Sequence, residues 1–226
     1  MIFAAGFGAR MGVLTRDMPK PLLKVAGRTL LDHALEVTDH PAVSRRVVNA
    51  HYRADQIAHH LQATNVALSH EAVRILETGG GLRFAMPLLA DSPVLTLNSD
   101  AVWAGRNPVQ ELAEAWDPDR MDALLLLAPV AAAKGFGGTG DFCLDASGRL
   151  ARADGRPGFA YLGAQILRTD ILTDIPQQVF SLNLVWNQMI ALGRAYGVLH
   201  QGQWCDVGRP EGIAEAEALL NWPTHG

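Results

Sequence analysis

Little in this sequence suggests a covalent staple, a membrane or a polyanionic partner. Only two of the 226 residues are cysteine, Cys143 and Cys205. They are far apart and lack metal-type spacing, so neither a disulfide framework nor a zinc site is expected, and a reduced, cytoplasmic setting fits best. No apolar run reaches the roughly 18 residues of a membrane-spanning helix, and the first apolar stretch is broken too soon for a signal peptide. An excess of either charge is also missing. The 19 Lys and Arg against 23 Asp and Glu leave a net charge of -4, which gives no general attraction for nucleic acid or anionic lipid. Any anion must be held by local chemistry. There is no repeat with a period of about 20–50 residues and no linker-like segment, so residues 1–226 are expected to form a single domain, and a monomer. The chain begins almost inside its first strand, so the natural product is expected to start a few residues earlier.

What is present is concentrated first in Met1 to Leu22, MIFAAGFGARMGVLTRDMPKPL. An apolar strand, Met1 to Ala5, breaks into Gly6, Gly8 and Gly12, with Arg10 inside the loop and Lys20 after it. That arrangement is suited to cradling phosphate. Two familiar versions are absent here. Met11 stands where the third glycine of a dinucleotide fingerprint belongs, and there is no G-x-x-x-x-G-K-[ST]. A glycine loop with two cations suits a nucleoside triphosphate better, because its oxygens need several donors at once. Pro19 and Pro21 bracket Lys20, which predicts that it is presented from a stiff extended segment rather than a helix.

The remaining pattern alternates strand and helix. Thr29 caps a helix from Leu30 to Thr38, residues 45–50 form a strand, 54–63 a helix and 65–69 a strand. Gly79, Gly80 and Gly81 are read as preceding an amphipathic helix, leaving free N–H groups at its start. Residues 93–97 form an apolar strand that ends on Asn98, Ser99 and Asp100, where a doubly wound sheet faces its ligand crevice. A helix over 108–116 and an apolar strand over 123–130 follow. Next come a hairpin turning at Ser147-Gly148, a strand over 158–167, a helix over 182–192, a strand over 196–200 and a last helix over 210–220. The expected class is α/β: a Rossmann-like, doubly wound mixed sheet with a mostly parallel core and added antiparallel strands.

Asp100 and Asp206 each close an apolar strand. Either alone reads equally well as a turn or cap residue. Together with a separate cationic phosphate loop they suggest a shared Mg2+ site, since magnesium takes one or two carboxylates and completes its shell with phosphate and water. His59 and His60 lack partners at ligand spacing and read as surface or packing residues. Cys205 reads as a small buried neighbour of Asp206, and Trp103, Trp116, Trp186 and Trp222 as core or rim.

AAGFGARM followed by MPKPLLKVAGRTLLDH, then LETGGG, LNSD and WCDVGRPE, in that order, resembles the sugar-1-phosphate nucleotidyltransferase family over nearly the whole chain. Within it the chain looks most like the short N-acetylmuramate-1-phosphate uridylyltransferases of cell-wall recycling, with mannose-1-phosphate guanylyltransferase-like proteins next. The resemblance implies the nucleotide-diphospho-sugar transferase fold. It also implies transfer of a nucleoside monophosphate from a nucleoside triphosphate to a sugar 1-phosphate. Ala5, Gly6 and Gly8 would lie along the nucleotide, Arg10 would steady the leaving phosphates and Lys20 would neutralise the reacting one. Glu77 and Gly79 to Gly81 would border the base, Asp100 and Asp206 would hold Mg2+, and Asn98, Asp141, Gly163 and Asn183 would face the sugar. Three departures stand out. Ser99 replaces a frequent glycine, Arg209-Pro210 replaces Thr-Pro, and no glutamate motif surrounds Gly163, which argues against a glucose-1-phosphate thymidylyltransferase. Hexapeptide repeats are absent, so no attached acyltransferase is expected. Rival readings are guanylyl transfer, cytidylyl transfer to an amino-alcohol phosphate, and a non-catalytic nucleotide-sugar sensor. Retaining both aspartates argues against the sensor.

Overall fold

The computed structural model describes residues 1–89 and 92–221. Trp222, one of the four tryptophans singled out above, lies outside them. In chain order the strands and α-helices begin with β1 Ile2–Phe3, β2 Lys24–Val25, β3 Arg28–Thr29, α1 Leu30–Val37, β4 Val47–Ala50, α2 Ala54–Leu61 and β5 Ala67–His70. They continue through α3 Glu77–Leu89, β6 Val94–Asn98, β7 Ala101–Ala104, α4 Pro108–Ala115, β8 Ala123–Pro129, β9 Ala133–Lys134, β10 Phe142–Leu144 and β11 Leu150–Arg152. The last are β12 Phe159–Leu167, α5 Leu182–Ala191, β13 Ala195–Leu199, β14 Gln203–Asp206 and α6 Glu211–Leu220.

A nine-stranded mixed sheet runs β11-β10-β12-β6-β1-β4-β5, with β8 also paired to β12 and β13 to β8. The β6-β1-β4-β5 side is parallel, and β12 lies antiparallel to both β6 and β8. The apolar run of β8 is buried from Ala123 to Ala128 because the sheet is covered on both faces. One face packs on α1, α2 and α4 through Leu31, Ile57 and Leu112. The other packs on α3 and α5 through Leu82, Val185 and Met189. At the head of α1, Thr29 and Asp32 form the reciprocal capping box that Thr29 promised. His60 of α2 bonds the outer oxygen of that Asp32 at 2.7 Å, so it fastens helix to helix, as a packing role requires.

Phe159, at the start of β12, pairs with Pro129 of β8 and Phe142 of β10. These partners hold opposite edges of the strand, and farther along β6 holds the edge that β10 leaves. The exchange occurs at a bulge between Tyr161 and Gln165. Gly163 sits there at φ 79°, packed on Asn98 so closely that a Cβ would come within 2.8 Å of Asn98 Nδ2. The β10–β11 hairpin and the end of β6 therefore flank a split in the sheet.

Two local expectations are corrected and one element is added. Lys20–Leu22 is not extended but forms a 3-10 turn, with Pro19 at its extended N-cap. Pro21 is tolerated because a first-turn N–H has no intrahelical partner to lose. The three glycines lie inside α3, not before it. Their leading N–H groups are not free, since those of Gly79 and Gly80 both donate to Phe180 O, at 2.9 and 3.0 Å. Finally, β7, β9 and β14 form a small second sheet in the order β7-β14-β9 that the sequence pattern does not announce. Among the described residues no helix is long and apolar enough to cross a membrane.

Candidate active site

The C-terminal ends of β1, β4 and β6 open onto a cavity of about 430 Å³. Its wall includes Ala5, Gly6, Gly8, Arg10, Lys20 and Asp100, with Glu77 and Asn98 also contributing. The loop after β1 reaches this position because Gly8 adopts φ 64°, where a Cβ would meet Lys20 Cβ at 2.9 Å. Only glycine lets the loop and the lysine turn lie so close.

The two aspartates are brought together by the small sheet. Asp100 immediately precedes β7, Asp206 ends β14, and the strands pair antiparallel with Asp206 opposite Ala101. Val207 N–H donates to Asp100 O at 2.8 Å, which locks the two strand ends. Lys20 Nζ reaches Asp100 Oδ2 at 2.9 Å although Lys20 is only 8% exposed. Burial, and then the neighbouring Asp100 carboxylate, push Asp206 from the usual 3.8 up to about 6. Lys20, Arg10 and the Gly208 N–H pull the other way without cancelling it. Gly208 is wedged in this group. A Cβ there would fall 2.5 Å from Asp206 Oδ2 and 3.2 Å from both terminal nitrogens of Arg10. The far end of the β7–β14 pair is pinned by Glu111 of α4, which bonds His200 Nδ1 and the Gln201 N–H. Cys205 is fully buried, and burial pushes its thiol up to about 11, which suits a packing residue rather than a nucleophile.

Several residues that hold the site were not singled out in the sequence. Ala4 N–H donates to Asn49 Oδ1 at 2.8 Å, Asn49 Nδ2 to Glu71 Oε1 at 2.6 Å, and Leu76 N–H to Glu71 Oε2 at 2.7 Å. This buried relay joins the start of the glycine loop to the start of α3. The one available signal was a polar Asn49 inside an otherwise apolar strand. Gly81 packs on the relay, where a Cβ would lie 2.6 Å from Glu71 Oε1. Gly79 to Gly81 thus stand behind the cavity wall while Glu77, at φ 60°, and Thr78 line it. Ser99 ties β6 to β1 by donating its hydroxyl to Phe3 O at 2.6 Å, so serine here adds a brace that glycine could not.

Among the expected sugar-side residues, Asn98 and Gly163 touch each other, as described. Asp141 holds the Tyr161 N–H at 2.8 Å, on the approach to the same bulge. Asn183 lies in the first turn of α5, bonded to Ser181, outside the cavity wall. Arg209 stands exposed ahead of α6.

Comparison with known proteins agrees with this arrangement. Residues 1–144 match the MobA-like NTP transferase domain family. The chain belongs to that family. As a MobA-like NTP transferase domain it carries the glycine loop, Lys20 and Asp100 inside the matched segment, and the similarity extends past it. An N-acetylmuramate alpha-1-phosphate uridylyltransferase of Caulobacter vibrioides is 41% identical, covering 97% of this chain and 96% of that protein. One from Neisseria meningitidis serogroup B is 33% identical with the same coverage. The crystal structure of HddC from Yersinia pseudotuberculosis complexed with GMP-PN, 22% identical, superposes with a TM-score of 0.76 over 97% of both chains. That likeness shows the nucleotide-diphospho-sugar transferase fold for this MobA-like domain.

Proposed function

We propose that the protein transfers uridylyl from UTP to N-acetylmuramate 1-phosphate, releasing pyrophosphate. The observation that carries this is the meeting of Arg10, Lys20, Asp100 and Asp206 at one end of a glycine-lined cavity, in a chain 41% identical over its length to a protein of that activity.

The acceptor's phosphate oxygen is already an anion at neutral pH, so no side-chain base is needed. It attacks the α-phosphorus, a new P–O bond forms, and the bond to the β-phosphate bridging oxygen breaks in line. Rate enhancement must come from alignment and charge neutralisation. Lys20, poised between the loop and Asp100, offsets charge on the reacting phosphate, and Arg10 receives the departing pyrophosphate. Ala5, Gly6 and Gly8 lie along the nucleotide. Glu77 and the α3 entry border the base, with Gly79 to Gly81 letting that helix seat closely. Asn98, Asp141, Gly163 and Asn183 form the sugar side.

The donor set fits a hard divalent cation. It offers two carboxylates close enough for one to raise the other's pKa. Both donors are oxygens, which suits magnesium better than zinc. Bound at Asp100 and Asp206, Mg2+ would supply charge stabilisation to the phosphates.

The test is a pyrophosphate-release matrix of UTP, GTP, CTP, ATP and dTTP against muramate-, glucosamine-, mannose- and glucose-type 1-phosphates, with and without magnesium. A magnesium-dependent signal concentrated on UTP with N-acetylmuramate 1-phosphate is expected. A signal confined to GTP with mannose 1-phosphate would replace the reading. Nucleotide binding by calorimetry with no release in any well would mark a sensor.

A further inference from the structure

The acceptor proposed above carries two anions. Its 1-phosphate is common to all sugar 1-phosphates, but the lactyl ether on O3 adds a carboxylate that N-acetylglucosamine 1-phosphate lacks. Discriminating between the two sugars is a matter of reading that carboxylate. Lys20 is paired with Asp100 and Arg10 faces Asp206, so the second anion calls for another cation, on the sugar side and outside any ion pair.

Arg152, the last residue of β11, is such a cation, lying beside the proposed sugar-side residues and outside the lining of the cavity itself. It pairs in register with Phe142 of β10, whose own partner is Phe159, at the edge of the split where Asp141 holds Tyr161 and Gly163 meets Asn98. Its guanidinium carbon lies 4.8 Å from the Phe142 ring centre and 5.5 Å from that of Trp186. Nε donates to Asn187 Oδ1 at 2.9 Å and Nη2 to Asn183 O at 3.2 Å. Both acceptors are neutral. Among the described residues no carboxylate comes within the 4.0 Å of an ion pair, and Nη1 makes no hydrogen bond within the chain. The helix that orients it is tied to the nucleotide side, because Leu182 N–H donates to Thr78 Oγ1 at 3.0 Å and Thr78 lines the cavity. Burial lowers the pKa of Arg152, opposed by the charges of Asp141 and Asp154, so the cation is partly desolvated, with carboxylates in its field but none in contact. An arginine held flat on two rings, with donors still free, is organised for a planar carboxylate.

We infer that Arg152 binds the lactyl carboxylate of the acceptor sugar and so sets the preference for N-acetylmuramate over N-acetylglucosamine. The inference rests on the N-acetylmuramate reading. It absorbs two residues the sequence assigned to the sugar: Asn183 orients the guanidinium through its carbonyl, and Asp141 discourages the arginine from turning away. Asp141 also disfavours any acidic sugar that would approach without Arg152.

Equilibrium binding of the two product nucleotides, UDP-N-acetylmuramate and UDP-N-acetylglucosamine, to the full chain separates this role from a structural one. The wild type is expected to prefer the acidic sugar. Arg152→Gln is expected to reduce that preference by about tenfold to a hundredfold, the scale of one charge-assisted hydrogen bond in a partly dry site. A merely structural arginine would weaken both ligands equally. A second measurement needs no variant: converting the lactyl acid of the ligand to its amide should cost the wild type the same factor and cost Arg152→Gln little. An unaltered preference in Arg152→Gln, or equal amide penalties in both proteins, would overturn the inference and leave the proposed activity standing. A wild type that neither prefers nor turns over the N-acetylmuramate ligand would overturn the activity itself.

Discussion

Replacing Asp206 with asparagine should make the protein more stable while disabling it. The carboxylate is nearly isosteric with the amide, and asparagine can still accept the Gly208 N–H. The charge, by contrast, is strained, with a pKa raised from the usual 3.8 to about 6 by burial and by Asp100. A folded-state pKa above the unfolded one means that the native protein holds this proton to higher pH than the unfolded chain does. Stability attributable to the group is therefore complete below about pH 4, declines as pH rises through about 6, and is fully lost above that. At about 1.36 kcal/mol per pH unit the full penalty approaches 3 kcal/mol, trimmed by the water that a partly exposed carboxylate keeps. Roughly half of it develops between pH 5 and pH 8. Urea unfolding of wild type and Asp206→Asn, both in chelator at pH 5 and pH 8, gives the difference directly, because every other titrating group is shared. The variant is expected to gain about 1–1.5 kcal/mol on the wild type between those two pH values. Magnesium should then stabilise the wild type and leave the variant unmoved. A parallel pH dependence in the two proteins, or a variant less stable than wild type at pH 8, would refute the strain assigned to this carboxylate.

Lys20→Ala should yield a folded protein whose turnover falls by at least about a hundredfold, the scale of one lost electrostatic stabiliser, and near-normal turnover in a steady-state assay would remove Lys20 from the chemistry. Gly81→Ala forces a methyl against Glu71 and should cost about 1–3 kcal/mol of stability by denaturant titration, with weaker UTP binding as the relay to Ala4 shifts; a silent substitution would show the relay to be slack. Glu111→Ala strips the acceptor from His200 and the Gln201 N–H, each worth about 1–3 kcal/mol when buried and unpaired. It should also weaken magnesium binding through the loosened β14, an effect that calorimetry with the metal alone would report.

The parts of this molecule legible in the sequence are those governed by short-range rules. The Thr29 capping box, the unbroken apolar run of β8, the hairpin at Ser147-Gly148 and the glycine loop after β1 each announce themselves within a few residues. Asp100 and Asp206 were identifiable as strand-end carboxylates. Their joint role was inferred from chemistry, but the small sheet that brings them together was not legible, because β7, β9 and β14 are strands of two to four residues that carry no usable period. The glycine run was misplaced for a similar reason. Glycines read locally as a loop, whereas these three sit within a helix because Phe180, about a hundred residues away, and Glu71 press on its face. Asn49 gave only a faint signal, a polar residue in an apolar strand, and Glu71 gave none, because the partners of both, each other and the Ala4 and Leu76 N–H groups, are set by the fold. The turn at Lys20 shows the opposite error, a rule about proline applied one position too strictly.

The small sheet has a consequence for what a fragment of this protein could do. Its middle strand, β14, comes from the last tenth of the sequence, while its neighbours β7 and β9 are made much earlier. A chain ending at residue 194 would keep the phosphate loop, Lys20, Asp100 and the β12 strand that joins β6 to β8 but leave β7 and β9 with an empty slot between them. Supplying residues 195–221 as a separate peptide would be a demanding complementation experiment, because the returning strand must restore in one docking event both a buried hydrophobic layer and a charged ligand. Turnover in this enzyme therefore waits on β14: until that strand threads between its two partners, no second carboxylate stands beside Asp100.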